Sequence, residues 1–220
     1  MPLTSEDRRL RRERTAEHVA YAQELFRQMR SDALSMIEQG VDAPAAELLP
    51  RLRWDPRLTE AIYLPSYATA TLFGARTAAT LGTTFTVEKM LAHLMNHATT
   101  AARNINRRLL ERLDLAMGDD EDPVAASRAM FDNTIGPRSE RYGQTIMTTT
   151  VGVASLQAAA QGERRVKVWE NNSGNPRPEH DISGERAQID STFSNGLAYP
   201  GDPVGGPALS ANCNCTMSYE

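Results

Sequence analysis

Near the end of the chain two cysteines stand one residue apart, as Cys213-Asn214-Cys215, and His180 precedes them. Two thiolates and an imidazole are soft and borderline ligands of the kind that suits Zn²⁺. In an extended segment alternate residues share a face, so Cys-x-Cys can direct both sulfurs the same way. His180, Cys213 and Cys215 are therefore candidate ligands of a structural zinc, with Asp181 and Asp202 as acidic candidates for a fourth. Two buried thiols and one hydrogen-bonded histidine account for the same residues without a metal. A cysteine nucleophile served by a histidine base is a third reading, but no recognisable nucleophile turn surrounds either cysteine. His93 and His97 lie one helical turn apart on one face, where a metal could bind both. Leu94 occupies the place of the glutamate that a metalloprotease needs there, so two polar helix residues is the better account. No serine triad, phosphate loop or dinucleotide fingerprint occurs, and no catalytic residues are assigned.

The elements that must position these residues follow from composition and pattern. The 220 residues suffice for one good-sized domain or two small ones, without disulfide staples. Hydrophobic residues make up 40% and charged residues 24%, with a low aromatic share, which points to packed helices. A net charge of −4 argues against a protein that coats nucleic acid over its whole surface. There is no apolar run long enough for a membrane span and no apolar segment in the charged first residues, so the expected setting is a cytoplasm. Two cysteines this close cannot form a disulfide framework.

Helical signals run through the first three quarters. Thr4 and Asp7 form a capping pattern and Gly40 a stop, giving a helix over residues 5 to 39 with a stripe of Val19, Ala22, Leu25, Phe26, Met29, Ala33 and Met36. A short helix is expected from Pro44 to Arg53, a second opened by Asp55-Pro56 and interrupted at Pro65, and its resumption from Ala68 to Leu81. Thr86 is expected to cap a long helix from Val87 to Met117. The acidic run 118 to 122 reads as a linker, followed by a helix from Pro123, a turn at 134 to 137 and a helix from Arg138 to Gln161. After Gly162 the pattern becomes strand-like, with short strands at 165 to 170, 187 to 190 and 215 to 219, and a loop at 171 to 176. The expected fold class is α+β: a helical domain at 1–122, connecting helices at 123–162, and a small mixed α+β domain with short antiparallel strands at 163–220.

Across that last domain runs an ordered set that periodicity does not explain: Lys167, Trp169, Arg177, His180, Gly184, Phe193, Gly196, Pro200-Gly201-Asp202-Pro203, Cys213 and Cys215. This string resembles the C-terminal domain of the phage Mu F-like head morphogenesis family, the MuF minor capsid proteins. The preceding helix, with Thr148-Thr149-Thr150 and Ala154 to Ala160, is similar to the one that leads into that domain. The likeness covers residues 138 to 220. Many members carry Asp-x-x-x-Cys-x-x-Cys after the tryptophan, whereas this chain has no cysteine there, and Asn214 replaces a frequent arginine between the two cysteines. Residues 1 to 137 carry no motif of the family.

The resemblance implies a low-copy head protein of a tailed bacteriophage, assembled in the host cytoplasm and ending in the virion head interior. Its implied partner is the portal protein, with major capsid or scaffold protein and packaged DNA as further candidates, and no membrane. No cofactor is firmly implied beyond a zinc that the cysteines and His180 could hold. The alternatives are a toxin-like or nuclease-like enzyme built on Arg177, His180 and Asp202, or an internal DNA-binding head protein. For the latter, Arg8, Arg9, Arg11, Arg12 and Arg14 crowd the first helical turns and could meet phosphate or an acidic partner. A solvated charged helix end is the better account of them.

Overall fold

The computed structural model describes residues 4–118, 121–172, 176–211 and 213–220. The expected acidic linker and the expected loop at 171 to 176 therefore fall partly outside the described residues, at 119–120 and 173–175. The α+β class is as expected: long helices come first, and a small three-stranded antiparallel sheet follows.

Helix α1 spans Ser5–Glu38. Thr4 Oγ1 accepts from the Asp7 N–H at 3.0 Å while the Asp7 carboxylate accepts from the Thr4 N–H at 3.2 Å, a reciprocal capping box. At the other end Gly40 takes φ +74°, and the Val41 N–H turns back to the Met36 carbonyl at 3.1 Å. The short α2, Ala45–Leu48, ends well before Arg53 because Pro50 disfavours helical geometry at Leu49, which sits at φ −125°, ψ 73°.

Helix α3 corrects the expectation most sharply. It runs unbroken over Arg51–Leu81 with Pro50 at its N-cap and both Pro56 and Pro65 inside it. A proline in a helix interior costs about 3 kcal/mol. Every fourth residue from Trp54 onward, namely Leu58, Ile62, Ser66, Ala70, Gly74 and Ala78, is buried on one face that passes straight through both prolines. Burying Trp54, Leu58, Ile62 and Phe73 contributes about 1.5–3 kcal/mol each, which matches or exceeds the cost of the two prolines. The Thr86 side chain caps nothing. Residues Val87–Met90 form a 3₁₀ turn, and the Thr86 N–H instead donates to Gln161 Oε1 at 3.0 Å.

Helix α4 covers Leu91–Met117 and α5 covers Pro123–Asn133, whose N-cap Asp122 accepts from the Ala125 N–H at 2.9 Å. A kink at 134–138, where Gly136 leaves helical geometry, leads into α6, Ser139–Gln161. The main core joins Phe26 and Met29 of α1, Trp54 and Leu58 of α3, Ala98, Leu109 and Leu113 of α4, Phe131 of α5 and Ile146 of α6.

Helix α6 is buried at every residue from Ile146 to Ala154, so it has no solvent face there. It packs along α1 and α3 and also carries the C-terminal domain. That domain contains β1 (Val166–Glu170), β2 (Arg186–Gln188), a one-turn α7 (Gly206–Ser210) and β3 (Thr216–Tyr219), with β1 central in the order β2-β1-β3. The pairing sets Lys167 opposite Ala187 and Tyr219, and Trp169 opposite Met217.

The seam between domain and helix is narrow. Thr148 Oγ1 donates to the Cys213 carbonyl at 2.7 Å and Thr149 Oγ1 to the Gly201 carbonyl at 2.6 Å. A Cβ on Gly152 would lie 2.6 Å from the Pro200 oxygen, and one on Gly201 would lie 2.9 Å from the Thr149 nitrogen. Alanine is the better helix former, yet Gly152→Ala is expected to lower stability by about 1–3 kcal/mol through overpacking. Urea denaturation checks this, and a stabilised variant would show that the seam has room to give.

Candidate metal centre

Strand β1 places Lys167 and Trp169, two residues apart, inside the C-terminal domain, where both are fully buried. Lys167 Nζ spends its three protons on the carbonyls of Ile189, Ser191 and Ala198, at 3.2, 2.5 and 2.8 Å. It thereby ties both ends of the 189–198 loop to the strand. Burial pushes its pKa down, and the charges of Asp190 and Asp202 act in the opposite direction. The ring of Phe193 lies 5.2 Å below the ammonium and meets Trp169 edge-on at 5.1 Å.

The rest of the expected string is drawn into the same unit. Arg177 holds α7 by donating to the carbonyls of Ala208 and Ala211. Gly184, Gly196 and Gly201 all take positive φ, the conformation that suits glycine at turns. Buried Pro200 sits on α6, and Pro203 opens a 3₁₀ turn. The Asp202 carboxylate caps that turn, accepting from the N–H groups of Ala198 and Val204 at 2.9 and 3.0 Å.

His180 ends a short 3₁₀ turn closed by its own N–H on the Arg177 carbonyl at 2.8 Å. Its ring meets Trp169 edge-on at 5.8 Å. Nδ1 lies 3.5 Å from Cys213 Sγ and 3.7 Å from Cys215 Sγ, and all three atoms fall within 4.8 Å of one another. The three residues are 3–4% exposed, which closes the cluster to solvent. A tetrahedral Zn²⁺ with ordinary Zn–S and Zn–N bonds spaces sulfur from nitrogen by about 3.6 Å. The cluster thus has the dimensions of one face of such a site, and it could hold a metal. The same distances accommodate S–H···N hydrogen bonds between thiol and imidazole.

The acidic candidates for a fourth ligand are not there. Asp181 is exposed, and both Asp202 oxygens serve the loop, so the cluster numbers three among the described residues. The sulfurs influence each other strongly. A hydrogen bond donated by the Cys215 thiol holds the Cys213 pKa down against the effect of burial, with help from His180 and Arg11. The proton on Cys215 is correspondingly held on.

No family model, curated protein or solved structure matches the chain. The site is therefore read from its own geometry.

The five arginines do not stay together. Arg8, Arg9 and Arg12 are exposed, with Arg9 paired to Glu6 and Glu13, and Arg14 pairs with Glu17. Arg11 departs from the reading of a solvated cluster, because it is only 6% exposed and turned into the protein. Sequence reasoning missed it and also missed His18, buried on the same helix face. The signal lies in the spacing: Arg11, His18 and Leu25 recur every seven residues, which puts both polar residues on the apolar stripe.

His93 and His97 join no metal cluster among the described residues. His97 instead stands near His18, whose Nε2 lies 3.4 Å from Thr69 Oγ1. Burial lowers the pKa of His18 to about 3, with the charges of His97 and Arg14 adding to it, and burial lowers His97 to about 4. Both imidazoles are neutral in the fold, while the unfolded chain protonates them near 6.5. Between these values the unfolded state binds more protons, so stability is complete above about pH 6.5 and falls as the pH drops toward 4. Denaturation at pH 7.5, 6 and 5 is expected to show this loss, with a shallower slope in His18→Gln. Equal slopes in the two proteins would assign the acid sensitivity elsewhere.

Proposed function

We propose that the chain is a minor capsid, head-morphogenesis protein of a tailed bacteriophage that binds the portal protein during procapsid assembly. The observation that carries this reading is the convergence of the MuF-like string on one small unit in which each side chain has a structural task. Lys167 closes one loop, Arg177 another and Asp202 a third, while Trp169, Phe193 and the cysteines form its core. A domain organised in this way presents a fixed surface, as a recognition module needs. The burial of His180, Cys213 and Cys215 favours a structural pin over catalysis at that place. In this reading the long helices supply the contacts with portal or neighbouring capsid proteins, and the protein remains in the virion near the DNA exit.

The same proposal makes the pin a Zn²⁺ held by Nδ1 of His180 and the sulfurs of Cys213 and Cys215. When bound, the ion would cross-link the 3₁₀ turn of His180 to the start of β3, joining two segments that the small sheet holds weakly. Trp169 packs on the histidine ring and excludes water from that side.

Two measurements test these statements separately. Protein purified without added metal is expected to contain about one zinc per chain and to lose it in Cys213→Ser. A metal-free wild type would reduce the cluster to a thiol–imidazole contact. For the partner, the purified chain is mixed with the portal protein of the same phage genome and followed by size-exclusion chromatography with light scattering. A stoichiometric complex is expected, and clean separation at micromolar concentrations would overturn the portal assignment.

A further inference from the structure

Arg11 is a buried cation whose partners are not evident from α1 itself. Its guanidinium is buried, and neither Nη1 nor Nη2 finds a hydrogen-bond acceptor among the described residues. A buried cation is costly unless hydrogen-bond acceptors or negative charge compensate it, and Arg11 lacks the acceptors that Lys167 has. Candidates for that charge are few. The neighbouring Leu10 packs against Phe73, Met147 and Val151, which sets this turn of α1 beside the stretch of α6 from which Thr148 holds the Cys213 carbonyl. Asp7, one turn earlier on α1, lines the same 570 Å³ cleft as Cys215. Its carboxylate is already occupied by Arg76, at 2.7 and 3.1 Å, and by the capping box. Among the described residues on this side of α1, the other groups that could carry negative charge beside Arg11 are the two sulfurs. Burial pushes the Arg11 pKa down, and the neighbouring Cys213, Cys215 and Asp7 act in the opposite direction.

A second donor around the sulfurs points the same way. Trp169 Nε1 is likewise buried with no oxygen or nitrogen acceptor, and its N–H acts on the Cys215 sulfur. Neutral thiols accept hydrogen bonds poorly, so a pocket with this surplus of donors suits sulfur that carries negative charge. Thiolates bound to a metal keep that charge and accept from surrounding N–H groups, and such outer partners tune the affinity of a site. A guanidinium has the planar fork needed to reach two sulfurs at once, which an ammonium lacks.

We propose that Arg11 is the counter-charge of the metal centre: its guanidinium donates to the thiolates of Cys213 and Cys215 when they hold Zn²⁺, so that filling the centre fastens the first turns of α1 to the C-terminal domain. The inference rests on the zinc reading above. Zn²⁺ displaces the thiol protons to solvent, and the guanidinium keeps its own throughout. Occupancy is then felt in α1 as well as in the domain that supplies the ligands.

The test uses the full chain as wild type, Arg11→Met, Arg11→Lys and a Cys213→Ser/Cys215→Ser double variant. Co²⁺ titration, read by sulfur-to-cobalt charge-transfer absorption, first establishes whether wild type binds metal. Zinc affinity follows from competition with a chromophoric chelator, and hydrogen exchange over residues 5–14 is compared with and without Zn²⁺. The expected result is a loss of about 10–100-fold in affinity for Arg11→Met, partly recovered in Arg11→Lys. Zinc should raise protection of residues 5–14 in wild type and leave it unchanged in the double cysteine variant. Should Arg11→Met fail to fold, the exchange comparison between wild type and the double variant still decides the matter. Metal binding in wild type with no zinc-dependent protection of α1 overturns the role of Arg11 alone. No Co²⁺ band in wild type overturns the zinc reading and this inference with it.

Discussion

One turn of α6, from Thr148 to Gly152, must serve two masters. On one side its helix is packed by α1 and α3, and on the other it has to accept the backbone of the C-terminal domain at van der Waals distance. Only a surface without bulk permits this approach, and Gly152 against Pro200 together with Gly201 against Thr149 supplies it. The hydroxyls of Thr148 and Thr149 then satisfy carbonyls that the contact would otherwise strand away from water. Because the Cys213 carbonyl is one of them, the position of the cysteine loop is set from the helix. Bundle and small domain therefore share one rigid part, and the candidate metal centre lies where they meet.

The C-terminal domain has little regular structure to hold it, since β2 has three residues and β3 four. Side chains bonded to backbone do the work that a longer ladder would do. Lys167, Arg177 and Asp202 each bridge backbone groups that no strand or helix pairs. Fully satisfied polar groups of this kind, buried at Lys167 and Asp202, specify a single arrangement, because any slip leaves several groups unpaired at once. The aromatic trio of Trp169, Phe193 and His180 fills the space between them.

Much of this was legible in the residues and some was not, for definable reasons. The α1 capping box, the Asp122-Pro123 start and the strand at Val166–Glu170 depend on local chemistry, and they form where that chemistry stands. Pro56 and Pro65 misled because proline is a local signal, whereas the burial series through Trp54, Leu58 and Ile62 that overrides it is tertiary. The triad of His180, Cys213 and Cys215 was readable by residue type, and its assembly needed the fold to bring the two segments together. Asp202 looked like a ligand and turned out to be a cap, since a carboxylate serves either purpose and only its neighbours decide. Arg11 was hidden among four similar arginines, and its place on the buried stripe separates it from them.

The chain contains only two lysines, Lys89 and Lys167. The first is exposed on the turn before α4, and the second is enclosed with its amine shared among three carbonyls. Chemistry aimed at lysine amines thus meets a protein with one open handle and one sealed one. Acylation at Lys89 leaves the architecture untouched, whereas a reagent can reach Lys167 only after the 189–198 loop has let go of β1. The second lysine is in effect a built-in tracer, silent in the closed domain and reactive in the opened one.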